Sequence, residues 1–264
     1  MKLKIGIFDS GIGGFTILNS LLKTRKDVQV FYLADTKRIP YGSKNFKEIR
    51  IIANEICTFF EDKNLDALLI ACNTTNACAL DILKNNLRIP CFDLINSVSE
   101  IVNKEIIGVL ATQTTVRTSY YKNAISSKKE NLKIFQQECP KLVSEIEREK
   151  LNLSKVNYLL DLYLRPLLKR NIQELVLGCS HYPLIYYFLR KKIDSNIKII
   201  DPSEALIKNF NESFPIPKTD CYECTSYENV IFFVTSKKEE FSKKVSIWLE
   251  INKEISLVNL RSNV

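Results

Sequence analysis

Two segments of this chain, Leu65–Thr74 (LDALLIACNT) and Ile172–His181 (IQELVLGCSH), are built alike. In each, an apolar run reads as a buried strand that ends in a small residue, a cysteine and then polar groups. Each also follows a polar turn with an asparagine in the same place, Asn64 and Asn171. Cys72 and Cys179 therefore occupy matching positions, each in a strand-to-helix turn. A cysteine can act as an acid when protonated and as a base when ionised, and its reference pKa of ~8.5 falls at a helix N-terminus. Two thiols facing one carbon centre from opposite sides could take a weakly acidic hydrogen from one face and return a proton to the other, with no cofactor. A single buried cysteine is usually an inert packing residue. Two at matching positions, each in a polar turn, are poorly explained that way.

Other residues could serve the same chemistry. The loop Asp9-Ser10-Gly11-Ile12-Gly13-Gly14 concentrates three of the seven glycines. It fits neither GxGxxG nor GxxxxGK, but its N–H groups precede a helix and could hold a carboxylate. Asp9 suits an ammonium group or a nearby proton; the plainer reading makes it the helix N-cap. His181 is the only histidine and lies two residues from Cys179. Tyr41-Gly42 after Pro40 reads equally as a tight turn, and Asn73 and Thr74 as capping residues. The other cysteines, Cys57, Cys78, Cys91, Cys139, Cys221 and Cys224, show no convincing pairing. Cys221 and Cys224 form one CxxC in a polar loop, without the second pair or the histidines a metal site needs. No metal and no pyridoxal site is implied.

The elements that must carry these residues alternate. Strands are predicted at Lys4–Phe8, Gln29–Leu33, Ala67–Ala71, Pro90–Asp93, Ile106–Leu110, Leu132–Gln136, Leu175–Gly178, Ile197–Ile200 and Val230–Val234. Helices are predicted at Gly14–Lys23, Phe46–Glu61, Thr75–Asn85, Asp161–Arg170, Leu184–Lys192 and Lys238–Glu250. The second set of strands echoes the first: Ile5-Gly6-Ile7 aligns with Ile107-Gly108-Val109, Val30-Phe31 with Ile134-Phe135, Cys72 with Cys179, and Ile89 to Asp93 with Ile197 to Asp201. The offsets grow slowly, 102, 104, 107 and 108. The reading is an α/β protein of two similar, pseudo-symmetric domains with mainly parallel sheets, made by internal duplication. Residues 1–95 with 207–264 form the first domain and 96–206 the second. The tail, which carries the lone Trp248, has no partner in the repeat and is expected to pack on the first domain. Ligands of open parallel sheets bind beyond the carboxyl ends of the strands. Asp9, Asp35, Cys72, Ala111, Cys139 and Cys179 all fall there, which puts the site in the cleft between the domains.

A length of 264 residues suits two domains, and 45% hydrophobic with 26% charged residues describes a globular chain. No run is long enough for a membrane span, and the N-terminus lacks a signal-peptide pattern, so the expected location is the cytoplasm. The net charge of +8 permits nucleic-acid binding. The lysines, however, are scattered among acids and asparagines, which reads as a solvated surface.

The segments IGIFDSGIGGFTIL, YLADTKRIPYGSK, LLIACNTTNA and VLGCSHYPLI resemble the glutamate racemases of the aspartate/glutamate racemase family, through most of the chain up to about Ser203. The tail segment FFVTSKKEEFSKKVSIWLE is similar more loosely. The resemblance implies cofactor-independent interconversion of L- and D-glutamate, supplying D-glutamate for peptidoglycan and the cell wall. It also implies a homodimer as the usual assembly, with no membrane or nucleic-acid partner. Residue by residue, it puts Cys72 and Cys179 on the two catalytic cysteines and Asp9 and His181 on side chains that assist them. Glu147 matches a further acid near the site. Asp9, Ser10, Tyr41, Gly42, Asn73, Thr74, Ser180 and His181 match substrate-binding positions, and Thr112 and Thr115 a threonine-bearing loop. The chain departs from the family with bulkier Thr75 and Asn76, with ATQTT in the threonine loop, and with Ser144 where a proline is usual. Alternatives are an aspartate racemase or a related two-cysteine isomerase, told apart by substrate. A basic regulatory or nucleic-acid-binding protein would bind salt-dependently without exchanging an α-hydrogen. A cysteine hydrolase using Cys179 and His181 would leave Cys72 and the duplication unexplained.

Overall fold

The computed structural model describes residues 2–217 and 225–261; the Cys221–Cys224 pair lies outside them. The strands are β1 (Leu3–Asp9), β2 (Val28–Ala34), β3 (Ala67–Ile70), β4 (Cys91–Asp93), β5 (Ile106–Ala111), β6 (Lys133–Glu138), β7 (Glu174–Gly178), β8 (Lys198–Ile200), β9 (Val230–Val234) and β10 (Ile255–Leu257). The helices are α1 (Phe15–Thr24), α2 (Phe46–Glu61), α3 (Asn73–Asn86), α4 (Leu94–Ile101), α5 (Gln113–Arg117), α6 (Tyr120–Ser126), α7 (Leu142–Ile146), α8 (Leu153–Leu168), α9 (Tyr186–Arg190), α10 (Pro202–Ser213) and α11 (Lys238–Leu249). All strand pairs are parallel, in a six-stranded sheet ordered β10-β9-β2-β1-β3-β4 and a four-stranded sheet ordered β6-β5-β7-β8.

The duplication is visible in the register. Ile5 pairs with Val30 and Ala67 in the first sheet, and Ile107 pairs with Ile134 and Glu174 in the second. These are the pairs the sequence alignment of the two halves matches. The repeat continues past the sheets, where Asp93 caps α4 and Asp201 caps α10. The asparagines ahead of β3 and β7 also correspond: Asn64 (φ 49°) and Asn171 (φ 52°) both adopt the left-handed conformation. Asparagine tolerates that conformation better than most residues.

Apolar side chains alternate across each sheet, so both faces are covered. On the first sheet, α1, α10 and α11 pack over Ile5, Ile7 and Phe232, while α2 and α3 cover Phe8, Leu33 and Leu68. On the second, α7 and α8 cover Leu110, Leu175 and Leu177, while α4 and α6 cover Ile107, Val109 and Val176. The last helix of each half is therefore exchanged. Helix α4 follows the first sheet but covers the second, and α10 follows the second sheet but covers the first. Asn209 of α10 donates to Ser97 Oγ of α4 (3.2 Å), joining the two at the centre. The expected domain limits at 95/96 and 206/207 fall within these two exchanged helices. The tail enters the first sheet, with β9 hydrogen-bonded to β2 and β10 to β9.

Predicted strands agree within two residues; β10 is an addition. Helix α8 starts eight residues before Asp161, because the Asn152 side chain caps it by accepting the Lys155 N–H (3.0 Å). The single helix predicted over Leu184–Lys192 is instead a 3-10 turn, Tyr182–Ile185, followed by the short α9. Pro183 in the first turn and the non-helical Ile185 (φ −110°, ψ 23°) divide it.

Asn64 and Asn171 are exposed, so substitution there tests the backbone alone. Asn64→Val or Asn171→Val is expected to lower stability by about 1–2 kcal/mol, whereas glycine at either position leaves it nearly unchanged. Urea denaturation measures both.

Candidate active site

The carboxyl ends of β1, β3, β5 and β7 converge. Cys72 leaves β3 as the N-cap residue of α3. The buried Asn76 fixes that turn, its amide donating to Ile70 O (2.9 Å) and Cys72 O (2.8 Å) and accepting from Leu94 N (2.8 Å). Cys179 leaves β7 in a turn closed by Tyr182 N to Cys179 O (3.1 Å). Each cysteine exposes 4% of its surface. They lie near enough for charge on Cys179 to disfavour ionisation of Cys72.

The glycine loop is where the halves meet. A Cβ at Gly13 would lie 2.3 Å from Ser180 Oγ and 2.6 Å from His181 Nδ1; one at Gly11 would lie 2.1 Å from Glu147 Oε1. A side chain at either position would push the other half's Ser180, His181 or Glu147 aside. The loop N–H groups are taken by the protein's own carboxylates. Gly11 N donates to Asp9 Oδ2 (2.8 Å) and Ile12 N to Glu147 Oε1 (3.0 Å). Ser180 Oγ donates to Asp9 Oδ1 (2.9 Å), joining the ends of β1 and β7.

Beside Cys179 stands a charged chain. His181 Nδ1 is 3.9 Å from Cys179 Sγ and 3.5 Å from Ser180 Oγ, and His181 Nε2 is 2.6 Å from Glu147 Oε1. Lys244 Nζ of α11 donates to Glu147 Oε2 at 2.8 Å. Burial opposes the charge on His181, but its hydrogen bonds to Cys179 and Glu147 and the carboxylate charge outweigh it and hold the imidazole well above its usual 6.5. Burial likewise opposes the Glu147 carboxylate. The hydrogen bond and charge of His181, with Lys244 behind them, prevail and bring it down to about 2. Asp9 moves the other way, raised by burial against the pull of His181 and of its Gly11 and Ser180 hydrogen bonds.

The expected lowering of the thiol at the start of α3 is not found. Burial, then the Asp9 carboxylate, push Cys72 up to about 12, although the hydroxyl and N–H of Thr75 favour its thiolate. Desolvation outweighs the helix end because Cys72 has almost no contact with water.

The remaining expected residues divide into two groups. Thr74, Thr112 and Thr115 join their hydroxyls across the halves, at 3.0, 2.9 and 3.4 Å. Asn73 accepts from Tyr121 OH (2.6 Å), and its buried amide nitrogen has no partner. Gly42 packs on Thr112, where a Cβ would approach to 2.4 Å, and its carbonyl accepts from Thr114 (3.0 Å). Ser10 is buried in the loop. Tyr41 differs, since its hydroxyl is committed to Asp35 Oδ2 (2.5 Å), which Thr235 and Arg38 also hold. Lys244, Tyr121 and Asp35 were not singled out as site residues from the sequence. Lys244 had a visible signal, being a lysine on the apolar stripe Phe241, Val245, Trp248 and Leu249.

A cavity of about 280 Å³ opens onto Glu147 and Lys244, and a 40 Å³ cavity lies between Gly42, Thr112 and Cys139. The 670 Å³ cavity lies further out, between Arg50, Asp81 and Arg117. None of the three is lined by Cys72 or Cys179. No group of acids, cysteines and histidine able to hold a metal occurs among the described residues, nor does any helix there have the length and apolarity to cross a membrane.

Two like α/β halves facing each other across strand ends are the frame of a class of amino-acid racemases, and the family model of the Asp/Glu/hydantoin racemases matches residues 16–209. The chain is 46% identical to a glutamate racemase of Prochlorococcus marinus (strain NATL1A), over 98% of both chains. Among solved structures it is similar to the glutamate racemase of Francisella tularensis in complex with D-glutamate (TM-score 0.87, 32% identity, 99% of both chains). It is equally similar in fold to a Bacillus anthracis glutamate racemase isoform (TM-score 0.87, 27% identity, 98% of both chains). The chain belongs to the Asp/Glu/hydantoin racemase family, among its glutamate racemases, and is an amino-acid racemase.

The pair His181–Glu147 has a defined pH window. The raised imidazole contributes stability that is complete below 6.5 and is lost as pH rises through its folded value. The depressed carboxylate contributes stability that is complete above 4.5 and is lost as pH falls toward about 2. Both contributions are complete between those unfolded-state values. Because His181 is the only histidine, its imidazole NMR signals titrate unambiguously. They are expected to titrate well above 6.5, and Glu147→Gln to bring the midpoint down; an unshifted midpoint would show that Glu147 does not set the charge.

Proposed function

We propose that the protein racemises glutamate by a two-base mechanism, with Cys72 and Cys179 on opposite faces of the α-carbon. Matching cysteines at the carboxyl ends of β3 and β7, both buried and close enough for charge on Cys179 to act on Cys72, are the observation that carries this reading. Cys72, raised to about 12, suits the acid that delivers a proton. Cys179, beside the cationic His181, suits the base that removes the α-hydrogen; with the other enantiomer the roles reverse. Asp9 holds Ser180 and Gly11 in place and offers negative charge to the substrate ammonium. The hydroxyls of Thr74, Thr112 and Thr115 and the unpartnered Asn73 amide supply hydrogen bonds for carboxylates. A polar group buried without a partner costs about 1–3 kcal/mol, which fits a nitrogen kept for a ligand. Excluding water strengthens every one of these contacts.

Because both thiols are buried, glutamate reaches them by a parting of the halves, which pivot where α4 and α10 are exchanged. The product, D-glutamate, serves peptidoglycan synthesis in the cytoplasm. The expected assembly is a homodimer, and the division into domains at 1–95 with 207–264 and 96–206 is proposed with the pivot at its boundaries.

The test is to incubate the pure protein with L-glutamate in deuterated water, without cofactor, and follow optical rotation and α-deuteration together. L-Aspartate in a parallel sample separates the related enzyme. Cys72→Ser and Cys179→Ser are each expected to lower racemisation on the order of 10³-fold or more with far-UV circular dichroism unchanged. Full turnover by either variant would refute the two-base scheme.

A further inference from the structure

We infer that Lys244, on the C-terminal helix α11 outside the repeat, is a positioning residue for the racemase reaction, holding Glu147 in the rotamer that meets His181. The inference rests on the proposed racemase reading of the cleft.

Glu147 is the last link between the solvent side and His181. Its Oε1 is shared by His181 Nε2 (2.6 Å) and Ile12 N (3.0 Å), so that oxygen has its donors. Its Oε2 has one, Lys244 Nζ at 2.8 Å. Behind that oxygen lies the 280 Å³ cavity, lined also by Arg148, Lys237 and Glu240. Remove the ammonium and Oε2 faces this space, free to turn toward water and take Oε1 away from His181. A carboxylate that wanders cannot hold an imidazolium beside a sulfur.

Lys244 is itself held firmly. Phe241, one turn earlier, packs against Phe15 and Tyr32 at ring distances of 5.6 and 6.3 Å, and Tyr32 OH donates to Gly11 O (2.8 Å) in the catalytic loop. Glu240 meets the ammonium from the preceding turn at 3.0 Å. Burial works against the charge on Lys244, but Glu147 and Glu240 outweigh it and keep the group charged. One residue back, Lys243 pairs with Glu149 (3.0 Å), so α11 grips the segment after α7 twice. The charged and titratable groups around His181 are then Cys179 on its own turn, Asp9 from β1 and Glu147 after α7. Lys244 reaches His181 only through Glu147.

The experiment compares Lys244→Met, which keeps the length and the packing, with Lys244→Arg, which keeps the charge. His181 is titrated by NMR in each, and kcat and KM are measured across pH with L- and D-glutamate. Lys244→Met is expected to lower the His181 midpoint and cut kcat on the order of ten-fold, with KM changing far less. Lys244→Arg is expected to restore both. Should Lys244→Met fail to fold, Glu240→Gln, which loosens the same ammonium from the exposed side, is expected to shift the His181 midpoint in the same direction by less. A folded Lys244→Met with an unshifted midpoint and an unshifted pH profile would overturn the inference. Absence of turnover in the unmodified protein would instead overturn the racemase reading, while leaving the NMR result to stand by itself.

Discussion

An imidazole sealed from water keeps its proton only if a carboxylate is brought to it, and that carboxylate must be sealed in as well. In this protein His181 and Glu147 meet at 2.6 Å, and the surrounding structure exists to keep them there. Two unpaired ions of this kind would cost several kcal/mol each to bury. As a pair they are supported at every free oxygen, by Ile12 N–H on one side and Lys244 on the other. The closed junction around the cysteines depends on that compensation. Without it, the same desolvation that pushes Cys72 up to about 12 would drive the imidazole neutral and leave no cation beside Cys179.

The duplication supplies the geometry, and departures from it supply the chemistry. Asp9 ends β1, whereas the matching end of β5 is Ala111; His181 follows Cys179, whereas Thr74 stands at the matching place after Cys72. At each matched pair only one copy is charged, Asp9 in the first half and His181 in the second, so the junction holds one mixed set of groups instead of two like-charged sets repelling each other. The exchanged helices serve the same end. Because α4 and α10 each cover the other half's sheet, the junction is bordered by packed helices on both sides, and the glycine loop can press against Ser180 and His181 without a linker intervening.

What could be read from the residues beforehand follows from which forces are local. Strand limits and the correspondence between the two halves were legible, because burial on both faces writes short apolar runs and duplication writes them twice. The pairing of Cys72 with Cys179 came from the same source. Three features were not legible, and each depends on distant contacts. Tyr41 matched a substrate-binding position, yet its hydroxyl belongs to Asp35, fixed by Thr235 from the far end of the chain. The helix-end argument for Cys72 was sound locally and was reversed by burial. The apolar stripe of α11 marked Lys244 as a lysine turned inward, but its partner, Glu147, lies 97 residues earlier in the chain and no local pattern points to it. Glu147 itself, which only resemblance suggested, has no local pattern that marks it; its meaning lies in reaching His181 from the turn after α7.

The inequality of the two thiols has a thermodynamic limit. Enantiomers have the same free energy in water, so a racemase has an equilibrium constant of unity, and kcat/KM must be equal in the two directions whatever the site looks like. Placing His181, Ser180 and Glu147 beside Cys179 and Asp9 and Thr75 near Cys72 therefore cannot favour one direction in that ratio. It can change how tightly each enantiomer is held and how fast each bound form turns over, by compensating amounts. An asymmetric cleft is thus compatible with a symmetric reaction. On the proposed two-base reading, the form with Cys72 protonated and Cys179 ionised serves one enantiomer, and the form with those two states exchanged serves the other.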